Sequence, residues 1–244
     1  MAEIYHAYSS EKWGNILKIQ TILACISIVI GLPGFIAACA FPLYRAYGVF
    51  ALFISAVLIV LWYLLNLPFW TIIEMTRVIE LKDPEGSLTK VTKTANIRAN
   101  HKGLTEYLHR KMRSDGTINN FRLDSNPVPI KDIEKRAGEY MVYERFEPMK
   151  RWQTRNSCLS YDIHKGFHKD REFSGYIPDY PTNKFKLEVH LPSQRTARNP
   201  KAYKGTGAET QELDTPELSS DGQKITWNGK KLKPGSNYRL QWDW

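Results

Sequence analysis

Apolar positions run almost unbroken through the first third of the chain, then give way to alternation. Residues 19–44 and 46–73 contain no Asp, Glu, Lys or Arg, and Arg45 is the only formal charge between Lys18 and Glu74. A hydrocarbon core about 30 Å thick is crossed by roughly 20 apolar helical residues, and both runs are longer. The pattern predicts a helical hairpin, with helix one near 18–42 and helix two near 49–74. Residues 44–48 (YRAYG) form its turn, with Pro42 ending helix one, Gly48 allowing the bend and Tyr44 and Tyr47 suited to a lipid–water boundary. Helix two is expected to continue through 71–81 until the Pro and Gly of 82–87 (KDPEGS) break it.

Beyond this point a short amphipathic helix is expected over 99–112, where Leu104, Leu108 and Met112 recur at i, i+4 and i+8. The period then changes to two. Strands are predicted over 118–124, 139–147, 156–163 and 184–192, the last with Phe185, Leu187, Val189 and Leu191 on one face. In 224–233, Asn228-Gly229 between two short runs predicts a hairpin. The final strand places Tyr238, Leu240, Trp242 and Trp244 on one face, and 194–218 is expected to be a polar loop or hairpin. The expected class is therefore a membrane protein. A transmembrane helical hairpin (1–76) is followed by a linker with a short helix (77–116) and a mainly-β sandwich or small barrel (117–244).

Charge sharpens this division. The chain of 244 residues carries a net charge of +9. Residues 1–76 balance Lys12, Lys18 and Arg45 against Glu3, Glu11 and Glu74, so all of the excess belongs to the polar part. Lys12, Lys18, Arg77, Lys82, Lys90 and Lys93 flank the expected helices on one side, and Arg45 stands alone on the other. The positive-inside rule then places both termini in the cytoplasm. Cys25 and Cys39 lie in the apolar part and Cys158 alone in the polar part, which suits a reducing compartment. Gly31, Pro33 and Gly34 in helix one, and Asn66 and Pro68 in helix two, mark kinks and close approaches expected of an oligomeric bundle, whose outer mouth Arg45 would ring.

No catalytic signature is present. There is no Walker A sequence, Gly-x-Ser-x-Gly elbow or His-Glu-x-x-His, and the chain is not expected to be an enzyme or to carry a cofactor. His164 and His168 have a metal-like spacing without the third and fourth ligands that zinc needs, so no metal is expected. The basic excess gathers in two clusters with aromatics: Lys150, Arg151, Trp152 and Arg155, and Arg195, Arg198, Lys201 and Tyr203. Such residues hold phosphates and stack on bases, which suits a nucleotide-like ligand. The same charge suits anionic lipid.

Two membrane helices, a short outer turn and a β-rich soluble part resemble the two-transmembrane, β-strand-rich effectors of bacterial anti-phage systems. The resemblance lies in layout and brings no motif residues with it. It implies a membrane-disrupting effector whose β part senses a cyclic oligonucleotide or partner protein, and whose helices homo-oligomerise and permeabilise the lipid bilayer. The alternative is a membrane-anchored interaction module that tethers a partner enzyme or toxin.

Overall fold

The computed structural model describes residues 45–65, 67–205 and 210–244, with the side chains of 45–48, 63–65 and 111 excepted. It divides into two compact units, one ending at Leu67 and one from Pro68 to Trp244.

In the first unit the described element is helix α1, Arg45–Leu65. It is apolar on all sides, and Val49, Phe50 and Phe53 are exposed. The Ser55 hydroxyl donates to the Ala51 carbonyl one turn back, at 2.9 Å, which satisfies the one polar side chain in its middle.

This arrangement corrects the membrane class expected above. Among the described residues no helix is long and apolar enough to cross a membrane. Helix two does not reach residue 74: α1 stops at Leu65, and the chain is a β-strand from Trp70. Arg45 opens α1 instead of sitting in a turn. Helix one, with Gly31, Pro33 and Gly34, lies outside the described residues, as does Asn66. Pro68 is not a helix kink; its carbonyl accepts a 2.7 Å bond from the Asn100 amide at the start of the β unit.

The β unit is built on one large sheet. Strand β1 (Trp70–Leu81) pairs antiparallel with β2 (Leu88–Ala99), which pairs with β8 (Thr154–His164). Beyond β8 lie β4 (Thr117–Leu123) and the two-residue β5 (Asn126–Pro127). On the other side of β1, β10 (Thr182–His190) runs parallel to it, followed by β14 (Lys224–Leu232) and β13 (Glu217–Leu218). Two small sheets complete the unit. One comprises β3 (Leu104–Met112), β7 (Glu139–Met149) and β6 (Ile133–Arg136). The other orders β12 (Gln211–Glu212), β11 (Arg198–Lys204), β15 (Tyr238–Asp243) and β9 (Arg171–Tyr176).

Both small sheets bury against the same face of the large one. Trp70 of β1 meets Tyr107 of β3 and Phe146 of β7 edge-on at 5.8 and 5.9 Å. Phe185 of β10 stacks on Tyr176 of β9 at 4.5 Å. The inner face carries Met75, Ile79, Val91, Ala95, Leu159, Leu187 and Val189, all at most 1% exposed. Tyr238, Leu240 and Trp242 of β15 are also buried, as the alternation of the final strand predicts.

Two predicted elements change type. The segment 71–81 is a strand because a bulge at Ile72/Glu74 absorbs the Ile72-Ile73 doublet. After it Met75, Ile79 and Leu81 are buried on one side while Glu74 and Glu80 point away. Its β-branched content favours that outcome. The helix expected over 99–112 is β3, which corrects the short helix. Spacings of four and eight are even numbers, so they fit one face of a strand as well as one face of a helix. In β14, Asn228-Gly229 lies inside a continuous strand paired with Lys186 and Phe185, so the predicted hairpin there is absent. A Cβ on Gly229 would sit 3.0 Å from Leu232 Cδ2 and 3.4 Å from the Trp227 ring, so the glycine makes room for that indole.

Candidate functional site

The first basic cluster occupies the β7–β8 turn, at the end of the β unit where β1 begins. Asn100, almost fully buried, organises this end. Its side-chain amide donates to Pro68 O and to Thr71 Oγ1, and its backbone N–H donates to Phe69 O. The turn closes over it through a 2.7 Å bond from Trp152 N to Ala99 O, and Arg151 Nε donates to Asn100 O at 3.1 Å. Trp152 has φ +67°, a left-handed conformation uncommon for a bulky residue. The turn leaves its indole 48% exposed. Two guanidinium groups lie over that ring, Arg151 at 4.7 Å and Arg98 at 5.3 Å. Lys150, two residues before Trp152, and Lys102, two residues after Asn100, are exposed, and no ion pair neutralises Lys102, Lys150, Arg151 or Arg98 among the described residues.

Arg155, predicted with this cluster, points elsewhere. Its Nε donates to Glu144 Oε1 at 3.0 Å and its guanidinium lies over Phe146 at 4.9 Å. Glu144 belongs to a buried trio with His109 and Ser157, all at most 3% exposed. Ser157 Oγ donates to Glu144 Oε2 at 2.5 Å, and His109 Nε2 lies 3.2 Å from Ser157 Oγ and 3.4 Å from Glu144 Oε2. Burial first of all pushes the His109 pKa down to about 4, against the opposing pull of Glu144. Burial also raises Glu144, but hydrogen bonds from His109 and Ser157 outweigh it and hold the carboxylate below its usual range. Ser, His and acid in contact invite comparison with a nucleophile–base pair. Here one ring nitrogen faces both partners, the serine proton goes to the carboxylate, and His109 Nδ1 has no hydrogen-bond partner among the described residues. The trio is a closed polar knot in the core. The sequence reading missed it because it placed His109 on a helix.

The second predicted cluster lies on and beside β11. Arg195 sits over the Trp244 ring at 3.9 Å, Lys201 pairs with Glu212 at 3.3 Å, and Tyr203 carries Arg239 over its ring at 5.3 Å. Arg198 opens β11 opposite Asp243. No hydrogen bond, ion pair or ring contact joins the two clusters among the described residues, so they do not form one site. Among the described residues no group of three or more His, Cys, Asp or Glu is placed to hold a metal ion.

No protein-family model matches the chain, and no curated protein matches it. Among solved structures it is similar to the M1 zinc metallopeptidase from Deinococcus radiodurans. The match has 12% identity and a TM-score of 0.40, over 70% of this chain and 42% of that one. A putative nutrient binding protein from Legionella pneumophila matches at 13% identity and TM-score 0.47, over 72% of this chain and 67% of that one. A putative protease from Parabacteroides distasonis matches at 9% identity and TM-score 0.42, over 73% and 41%. None of these proteins is described as a membrane effector, and likenesses of this degree carry no argument about what this chain does.

Proposed function

We propose that the β unit is a binding module whose β7–β8 end docks on an anionic phospholipid surface. The observation that carries this reading is Trp152, half-exposed on a left-handed turn, with two unneutralised guanidinium groups at its ring and Lys150 two residues before it. A tryptophan suits the headgroup layer, and each Lys or Arg near an anionic leaflet contributes about 1 kcal/mol. A nucleotide would instead need an open aromatic face or a concavity. The cations already lie over the indole, and the cluster lines neither of two cavities of the β unit, of about 220 and 520 Å³. From the effector reading the proposal takes only the membrane lipid as partner, since the spanning hairpin is overturned.

The test is co-sedimentation of the full chain with phosphatidylcholine vesicles, with and without phosphatidylserine. The readout is the increment that phosphatidylserine adds, because the apolar segment preceding the β unit can hold the chain on either vesicle. That increment is expected to shrink with rising salt and to vanish in the double variant R151E/W152A. An increment that the double variant retains would overturn the proposal. So would capture of a single-stranded oligonucleotide by the same residues with no phosphatidylserine increment.

A further inference from the structure

A second site lies on the far side of the large sheet's parallel pair, where β14 meets β11 and the chain leading to β13. We propose that the cavity there, about 520 Å³, binds a phosphorylated small molecule. Its volume falls within the range of roughly 300–1,000 Å³ typical of ligand pockets.

Four lysines line it: Lys204 from the end of β11, Lys230 and Lys231 from the end of β14, and Lys233 just beyond it. None of the four is ion-paired among the described residues. Asp214 and Glu217 also line the cavity, so among the described lining residues four are basic and two acidic, an excess of two. The concentration of lysines results from a break in strand geometry. Lys231 has φ +51°, and the alternation of β14 fails at this point, leaving Lys230 and Lys231 exposed in succession before Leu232 turns inward. A left-handed lysine costs on the order of 1 kcal/mol, and such strain gathers at ligand-binding sites.

The cavity also has an apolar wall. Trp227 and Tyr238 line it while themselves 4% exposed, with ring centroids 6.2 Å apart. The Tyr238 hydroxyl accepts a 3.0 Å bond from Lys233 N, which ties the lysine-bearing segment to that wall. Ammonium groups bind phosphate as point charges, and a low-dielectric wall beside them strengthens the attraction. An apolar wall with a few polar groups fits a phosphate carried on a flat organic body, such as a nucleoside phosphate. The site shares no residue with the β7–β8 end and stands or falls independently of the docking reading.

The experiment is equilibrium dialysis of the full chain against ATP and, separately, inorganic pyrophosphate. Saturable binding of at least one probe is expected. In the variant K230E/K231E its affinity should fall roughly tenfold, because two of four phosphate-facing cations reverse sign. Both residues are exposed, so the variant should fold, and its melting temperature is measured in parallel. In the control variant K150E/R151E binding should be unchanged. Absence of saturable binding would overturn the site, as would binding that K230E/K231E leaves intact or that K150E/R151E removes.

Discussion

The two polar regions joined by Arg155 obey opposite rules. At the β7–β8 turn charge is unneutralised among the described residues, with exposed Arg151 and half-buried Arg98 of β2 held by an indole and, for Arg151, a backbone carbonyl. Three residues after Trp152 the chain enters the core. There Arg155, Glu144, Ser157 and His109 satisfy one another almost completely. Arg155 bridges the two, its guanidinium on Glu144 while its side chain remains about one-third exposed. Buried polar groups cost several kcal/mol when unpaired, and in the inner region every side chain but His109, at Nδ1, is satisfied by its neighbours. Solvated cations cost little and stay available to a partner. What sets the proposed docking surface apart is therefore not polarity but the lack of an ion-pair partner among the described residues.

The strongest way to break this contrast is to remove the hub of the inner region. Glu144→Ala leaves Ser157, His109 and Arg155 without their common acceptor and should lower unfolding stability by about 3 kcal/mol, read by chemical denaturation. A loss below about 1 kcal/mol would mean the knot is not structural.

The pH profile sharpens the same point from both sides. The folded chain keeps His109 neutral down to about 4, whereas an unfolded histidine takes up its proton near 6.5. Stability should therefore fall as pH drops from about 6.5 to about 4, by on the order of 3 kcal/mol, and His109→Gln should flatten that limb. On the alkaline side the sign is the same, because here too the folded chain holds its proton less tightly than the unfolded one. Lys93 stands on the inner face opposite Arg77. Burial, partly offset by Asp179, lowers its pKa to about 8. The folded chain releases this proton before the unfolded one does, so stability should rise between about pH 8 and 10.5. A denaturation series across pH in which both limbs are flat would show that neither group is desolvated as described.

The smallest effect on stability is expected from the outer region. R151E/W152A should change unfolding stability by no more than about 1 kcal/mol, even though it removes the phosphatidylserine increment. A larger loss would place Trp152 in the fold instead of on the docking surface.

Much of the β unit was legible in the sequence. Strict alternation marked β10 and β15, and mixed alternation marked β4, β7 and β8, because a period of two has one meaning once a face is buried. Elements β1 and β3 were misread for the same physical reason. Continuous apolar residues and spacings of four do not separate a helix from a bulged strand, and their partners lie far away in sequence. The basic clusters were visible as composition. That Trp152 presents its ring under Arg98 and Arg151 while Arg155 turns inward was not, because the first depends on the turn closing on Ala99 and the second on the register of β8 against β2. Lys230 and Lys231 drew no notice, since their cavity depends on a left-handed residue and on a strand distant in sequence.

The sequence by itself determined that the chain has an apolar first part and a basic, strand-forming second part, because hydropathy and alternation are local properties. Only the tertiary structure decided where helix gives way to strand near residue 70, which polar side chains neutralise one another in the core, and which cations remain unpaired. Those outcomes depend on pairing between strands distant in the chain, and local propensity is too weak to override the burial such pairing makes possible.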